Sequence, residues 1–93
     1  MADVMLVTGG SRGIGAAVCR MAAARGWDVA VNYASRADEA EAVVRDVEAA
    51  GRRGLAVPAN VTADTARPAM FDRTDAELGP IKALVNNAGI VHA

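Results

Sequence analysis

An apolar run, Val4-Met5-Leu6-Val7, passes directly into Thr8-Gly9-Gly10-Ser11-Arg12-Gly13-Ile14-Gly15, and a stretch of helical period follows. Glycines at such a junction let a strand turn sharply into a helix and let a phosphate approach the backbone. The first N–H groups of the helix, at the positive end of its dipole, then face that phosphate. Three more apolar runs recur downstream: Val29-Ala30-Val31, Leu55-Ala56-Val57 and Ala83-Leu84-Val85. None alternates with polar residues, which is the pattern of strands buried on both faces of a parallel sheet. Helical spacing fills the gaps. Ile14, Val18 and Met21 predict one apolar stripe, Ala40, Val43, Val44 and Val47 a second, and Met70, Phe71, Thr74 and Leu78 a third. Gly26, Gly51 and Gly79-Pro80 close the three helices. The third is expected to start near Ala66, with Pro68 either in its first turn or breaking it. The order βαβαβαβ implies a doubly wound α/β fold with right-handed crossovers.

At 93 residues there is room for one domain and one modest core. Hydrophobic residues make up 53%, which argues against disorder, and a net charge of -1 gives no electrostatic reason to expect nucleic acid or an anionic membrane as a partner. No apolar stretch approaches the ~18–20 residues of a spanning helix, and no leader is apparent, so a cytoplasmic location is expected. The single cysteine, Cys19, is read as a small buried thiol. With His92 far away and alone, it forms no metal site, and no set for nucleophilic catalysis is present. Arg52-Arg53 is read as a solvated loop pair, and Trp27 as packing the first helix against the sheet.

The spacing Thr8-Gly9-xxx-Gly13-x-Gly15 is not that of a P-loop, because no Gly-Lys-Ser/Thr follows. A methyltransferase also uses a glycine-rich first loop but wants an acid at the end of the second strand, where none stands. Together with Asn86-Asn87-Ala88-Gly89 after the last strand, the loop resembles the N-terminal part of the short-chain dehydrogenase/reductase family. The resemblance implies an incomplete Rossmann sheet of about four strands in the order 3-2-1-4 with flanking helices. Residues 1–93 would be its NAD(P)-binding part, with nicotinamide dinucleotide as ligand and an oxidoreductase of carbonyl/alcohol pairs as parent.

Cofactor choice is read about 20 residues past the loop, where an acid normally holds the ribose hydroxyls of NAD. Here the segment is Asn32-Tyr33-Ala34-Ser35-Arg36, which lacks one. Ser35 and Arg36, with Arg12 from the glycine loop, suit a 2′-phosphate instead. Charged hydrogen bonds at roughly 1.5–3 kcal/mol each make two of them worth about two orders of magnitude for NADP over NAD. Other readings stay open: Ser35 with Asp38 as a helix cap, Arg12 and Arg36 as surface charges, and Asn60 as a turn residue.

By resemblance, Gly9, Ser11, Arg12, Gly13, Ile14 and Gly15 would hold pyrophosphate and 2′-phosphate, and Ser35 and Arg36 would complete the phosphate site. Asn60 and Val61 would flank adenine, with Asn60 where the family usually has Asp. Asn86, Ala88 and Gly89 would line the ribose, and Asn87 would brace the sheet. The family's catalytic tyrosine, with a lysine four residues on, has no match: the one tyrosine is Tyr33, position 37 is alanine, and the one lysine is Lys82. No catalytic residue is therefore assigned, and the chain is expected to be a fragment, inactive alone, of a homo-oligomeric parent. The alternative is a non-catalytic nucleotide-binding or inert piece. An apolar edge at Ala83–Val85 would invite self-association.

Overall fold

The computed structural model describes residues 2–60 and 66–87. Seven elements alternate: β1 (Val4–Thr8), α1 (Gly13–Ala24), β2 (Asp28–Tyr33), α2 (Ala37–Ala49), β3 (Gly54–Pro58), α3 (Ala66–Leu78) and β4 (Ile81–Asn86). The strands form one parallel sheet in the order β3-β2-β1-β4. The α/β fold and strand order are as expected.

Strand residues alternate between the faces of the sheet, which divides the core in two. Val7, Val29 and Val31 pack on one side with Ala16, Cys19, Val43 and Val47 of α1 and α2. Leu6, Ala30 and Val57 pack on the other with Met70 and Leu78 of α3. Burial on both faces holds for the central strands β1 and β2 only. In the outer strand β4, half-buried and exposed residues alternate, and Leu84 is 43% exposed.

Helix α1 departs from its expected stripe. Gly15, Ala16, Cys19, Ala22 and Ala23 face the core, while Ile14 is 72% and Met21 54% exposed. The helix is apolar nearly all round, so periodicity alone could not select its face. Small side chains let it lie close to the sheet and α2, and closeness decides. In α2, by contrast, Ala40, Val43 and Val47 are buried as the spacing predicts.

In α3, Pro68 is the third residue, inside the first turn where no intrahelical N–H is lost. Met70, Thr74 and Leu78 are buried, and Thr74 satisfies its hydroxyl on the Met70 carbonyl at 2.9 Å.

The Arg52-Arg53 pair is not simply solvated. Arg53 donates from its backbone N–H and Nε to the buried Asp28 carboxylate (2.9 and 3.1 Å) and from Nη2 to the Leu78 carbonyl (2.7 Å). A cation on the last carbonyl of a helix also complements the helix dipole. One side chain thus fastens the start of β2 to the end of α3.

Candidate functional site

Strand order runs outward from β1 to β3 and then returns to the far side of β1 with β4. The reversal leaves a crevice at the carboxyl ends of β1 and β4, the usual place for a ligand in an open α/β sheet. The glycine loop leaves β1 there, and Asn86-Asn87 leave β4.

Polar side chains lock these loops together. Thr8, buried at the end of β1, has its Oγ1 3.3 Å from both the Val85 carbonyl and Asn86 Oδ1. Asn87 donates from Nδ2 to the Gly9 carbonyl at 3.1 Å. Asn32, 2% exposed, accepts the Gly9 N–H on Oδ1 at 3.0 Å and donates from Nδ2 to the carbonyls of Val57 and Ala59 at 3.1 and 3.2 Å. Its own carbonyl accepts the Gly10 N–H at 2.9 Å. Asn87 thus braces the glycine loop, close to its expected role.

Two glycines of the loop are held to that residue type for different reasons. Gly13 adopts φ +61°, a region that disfavours side chains, with open space where a Cβ would stand. At Gly15 a Cβ would lie 2.3 Å from the Gly9 carbonyl oxygen and 2.8 Å from Asn87 Nδ2. Gly15 therefore brings α1 against the loop itself.

The two helix starts differ in charge. At α1 the N-cap is Arg12, no side chain caps the helix, and no acidic residue stands in the first turn. At α2 the N-cap is Arg36, and Asp38 and Glu39 occupy the first turn. The Ser35 cap does not form, because the helix begins two residues after Ser35 and no side chain caps it. The amino end of α1 is thus left without an anion of its own, which suits a phosphate.

Beside it lies a cleft of about 170 Å³ lined by Gly9, Ser11, Arg12, Tyr33, Ala34, Ser35 and Arg36. Arg12, Ser35 and Arg36 thus face one space, and among the described residues no carboxylate lines it. Arg36 also pairs with Asp38, through Nε to Oδ1 at 3.4 Å and Nη2 to Oδ2 at 3.5 Å. That hydrogen bond holds the Asp38 carboxyl below the usual carboxylate range, and it raises the guanidinium of Arg36, with Glu39 acting the same way through space. Two guanidiniums, a hydroxyl and an uncapped helix start form a donor set suited to a nucleotide with two separate anionic groups.

The short chain dehydrogenase family profile matches residues 3–93. The chain belongs to the short-chain dehydrogenase family. Among curated relatives, 3-oxoacyl-acyl-carrier-protein reductase FabG of Staphylococcus epidermidis is 45% identical over 85 residues, 91% of the chain and 35% of the relative. A short chain dehydrogenase from Burkholderia cenocepacia, solved in complex with NADP, superposes with a TM-score of 0.91 at 47% identity, over 98% of this chain and 37% of that one. A blue fluorescent protein from a metagenomic library, in complex with NADPH, gives a TM-score of 0.91 at 44% identity, over 98% and 38%. The chain spans little more than a third of the length of these relatives.

Of the remaining expected site residues, Ile14 lies exposed in the first turn of α1, Asn60 is exposed just past β3, and Asn86 is exposed at the end of β4. Val61, Ala88, Gly89 and His92 lie outside the described residues. Asn32 and Gly10 carry structural weight that motif reading passed over. The signal for Asn32 was an amide at the end of a strand otherwise buried on both faces, a position where a polar group must find partners.

Tyr33 lines the cleft, whereas Lys82 is the second residue of β4, at the opposite end of the strands. Four strand residues, roughly 13 Å, separate Lys82 from the crevice. A larger cleft, about 470 Å³, lies at that opposite end beside Asp28, Arg52 and Arg53. Its arginines are spent on Asp28 and on backbone carbonyls, so it offers a ligand little. Among the described residues no cluster of metal-ligating side chains occurs, and no helix is long and apolar enough to cross a membrane.

Proposed function

We propose that residues 1–93 are the cofactor-binding portion of an NADP-dependent, cytoplasmic oxidoreductase that interconverts a carbonyl and an alcohol. The reading rests on one observation above others: Arg12, Ser35 and Arg36 line a single cleft in which no carboxylate of the described residues stands, next to a helix start with no acidic residue in its first turn. The NADP and NADPH complexes among its structural neighbours support it. The N–H groups at Gly13, Ile14 and Gly15, with Gly9 and Ser11, receive the pyrophosphate. Arg12, Ser35 and Arg36 receive the 2′-phosphate. Asn60 and Val61 flank adenine, and Asn86, Ala88 and Gly89 line the ribose.

NADPH, when bound, supplies a hydride. This chain's residues bind and orient its carrier but hold no proton relay, because Tyr33 and Lys82 stand at opposite ends of the sheet. Catalysis belongs to a longer polypeptide, and the chain alone is inactive. That separation also favours a second reading, a nucleotide-binding piece without catalytic purpose. NADPH oxidation with a panel of carbonyl compounds tells them apart from an active fragment.

Titration of the chain with NADPH and NADH tests the main reading. NADPH should bind about a hundredfold tighter, and Arg12→Gln should remove about tenfold of that margin, as expected for one charged hydrogen bond. Equal affinities for the two nucleotides would refute it.

A further inference from the structure

The two arginines of the cleft are not equivalent. Among the described residues Arg12 makes no ion pair, whereas Arg36 is engaged by Asp38 through two parallel contacts of 3.4 and 3.5 Å. Asp38 does not line the cleft. It approaches Arg36 from the first turn of α2, which also carries Glu39. Both side chains of the pair are exposed, 54% and 74%, and the contacts are long. A pair of this kind is weak and readily broken.

From this geometry we infer that Asp38 is a specificity-determining residue: as a counter-charge on Arg36, it narrows the preference for nucleotides that carry a 2′-phosphate. The inference rests on the NADP reading above. A ribose hydroxyl is neutral and cannot displace a carboxylate from a guanidinium. A phosphate monoester, with a charge of about -1.5 to -2 at neutral pH, can. A phosphorylated ligand must therefore compete with Asp38 for Arg36 and loses part of its binding, whereas a ligand without that phosphate loses nothing. Arg12, uncontested, supplies the full attraction, and Arg36 supplies a discounted share. The chain is thus tuned to hold its phosphorylated cofactor less tightly than its two arginines would allow.

The test is a double-mutant cycle on the 93-residue chain, titrated with adenosine 2′,5′-bisphosphate and with adenosine 5′-diphosphate. Asp38→Asn should tighten the bisphosphate about two- to fivefold and leave the diphosphate unchanged. In an Arg36→Gln background the same substitution should have no effect. Asp38→Ser, which also tolerates the helix start, should repeat the gain. Glu39→Gln, which removes an equal charge without breaking the pair, should gain less.

An Asp38→Asn chain that binds the bisphosphate no tighter overturns the inference. So does an equal gain for both nucleotides, in the Arg36→Gln background or from Glu39→Gln, because each means that general charge is responsible. If the wild-type chain does not prefer the bisphosphate and Arg36→Gln changes neither affinity, the NADP reading itself fails and takes this inference with it. If the wild type prefers the bisphosphate and Arg36→Gln weakens it while Asp38→Asn does nothing, only the role of Asp38 falls.

Discussion

Asn32 offers the sharpest test of how the cleft is assembled. Its amide joins the glycine loop after β1 to two carbonyls at the end of β3, through contacts of 3.0, 3.1 and 3.2 Å. Asn32→Leu keeps the approximate volume and removes all three. Gly9 and Ala59 are half-buried, so their freed groups recover water and cost about 1 kcal/mol each. The Val57 carbonyl accepts its bond in the interior and stays dry, at a further cost of about 1–3 kcal/mol. The sum is about 3–5 kcal/mol.

Asn32→Asp separates the donor role from the acceptor role. It keeps an acceptor for Gly9 but points a carboxylate at two carbonyls, so at neutral pH it should be no more stable than Asn32→Leu. Its carboxyl would be raised above its unfolded value. The stability so regained is full at pH below that unfolded value, declines steadily above it, and is gone once pH has passed the folded value. Part of it therefore remains at about pH 4–5, and none well above the folded value. Urea unfolding of the three chains at pH 7 and at pH 4–5, followed by circular dichroism, measures this directly. A loss below about 1 kcal/mol for Asn32→Leu, or an Asp variant more stable than the Leu variant at pH 7, would refute the account.

Gly15→Ala should cost about 1–3 kcal/mol or more and abolish NADP binding, because the new methyl meets a backbone carbonyl that cannot swing aside. Gly13→Ala, facing open space, should cost only the roughly 1–2 kcal/mol of its left-handed backbone; calorimetric melting of both variants checks the ranking. Burial pushes the Cys19 thiol up from 9.0 to about 12, against the opposing pull of Arg20. The thiol should therefore resist disulfide reagents at pH 8 until urea is added, and stability should fall as pH rises from about 9 towards about 12; fast labelling of the folded chain contradicts this. The free side of β4, with Leu84 exposed, should make the chain self-associate, and Leu84→Lys should shift it towards monomer in sedimentation; a wild-type chain that sediments as a monomer at every concentration counts against it.

Strands and helices were readable because short apolar runs between glycine-ended helices leave few alternatives, the order of the strands came from the family resemblance, and the loop Gly9–Gly15 announced its own position. The clustering of Arg12, Ser35 and Arg36 was legible from the missing acid after the second strand and from the family resemblance, and the structure supplies the reason, since β1 and β2 are neighbours whose carboxyl ends coincide. What was not legible depended on distance rather than pattern. The buried face of α1 was hidden because alanine and cysteine give no contrast with Ile14 and Met21, and only the closeness of sheet and α2 chooses between them. Exposure along β4 follows from its outer place, which a run such as Ala83-Leu84-Val85 does not encode. Arg53 looked like any surface cation, because its partners Asp28 and Leu78 lie 25 residues away on either side.

The sheet's middle pair, β1 and β2, is bonded along both sides, whereas among the described residues β4 pairs with β1 alone, with a register slip between Val4 and Met5. Amide deuteration should accordingly creep inward from that rim. The glycine loop is suspended from the slowest-opening pair and Asn86-Asn87 from the quickest, so a nucleotide seated between them clamps a labile flank onto a durable one. Protection gained on loading then concentrates in Ile81–Asn86 and barely registers in Val29–Val31.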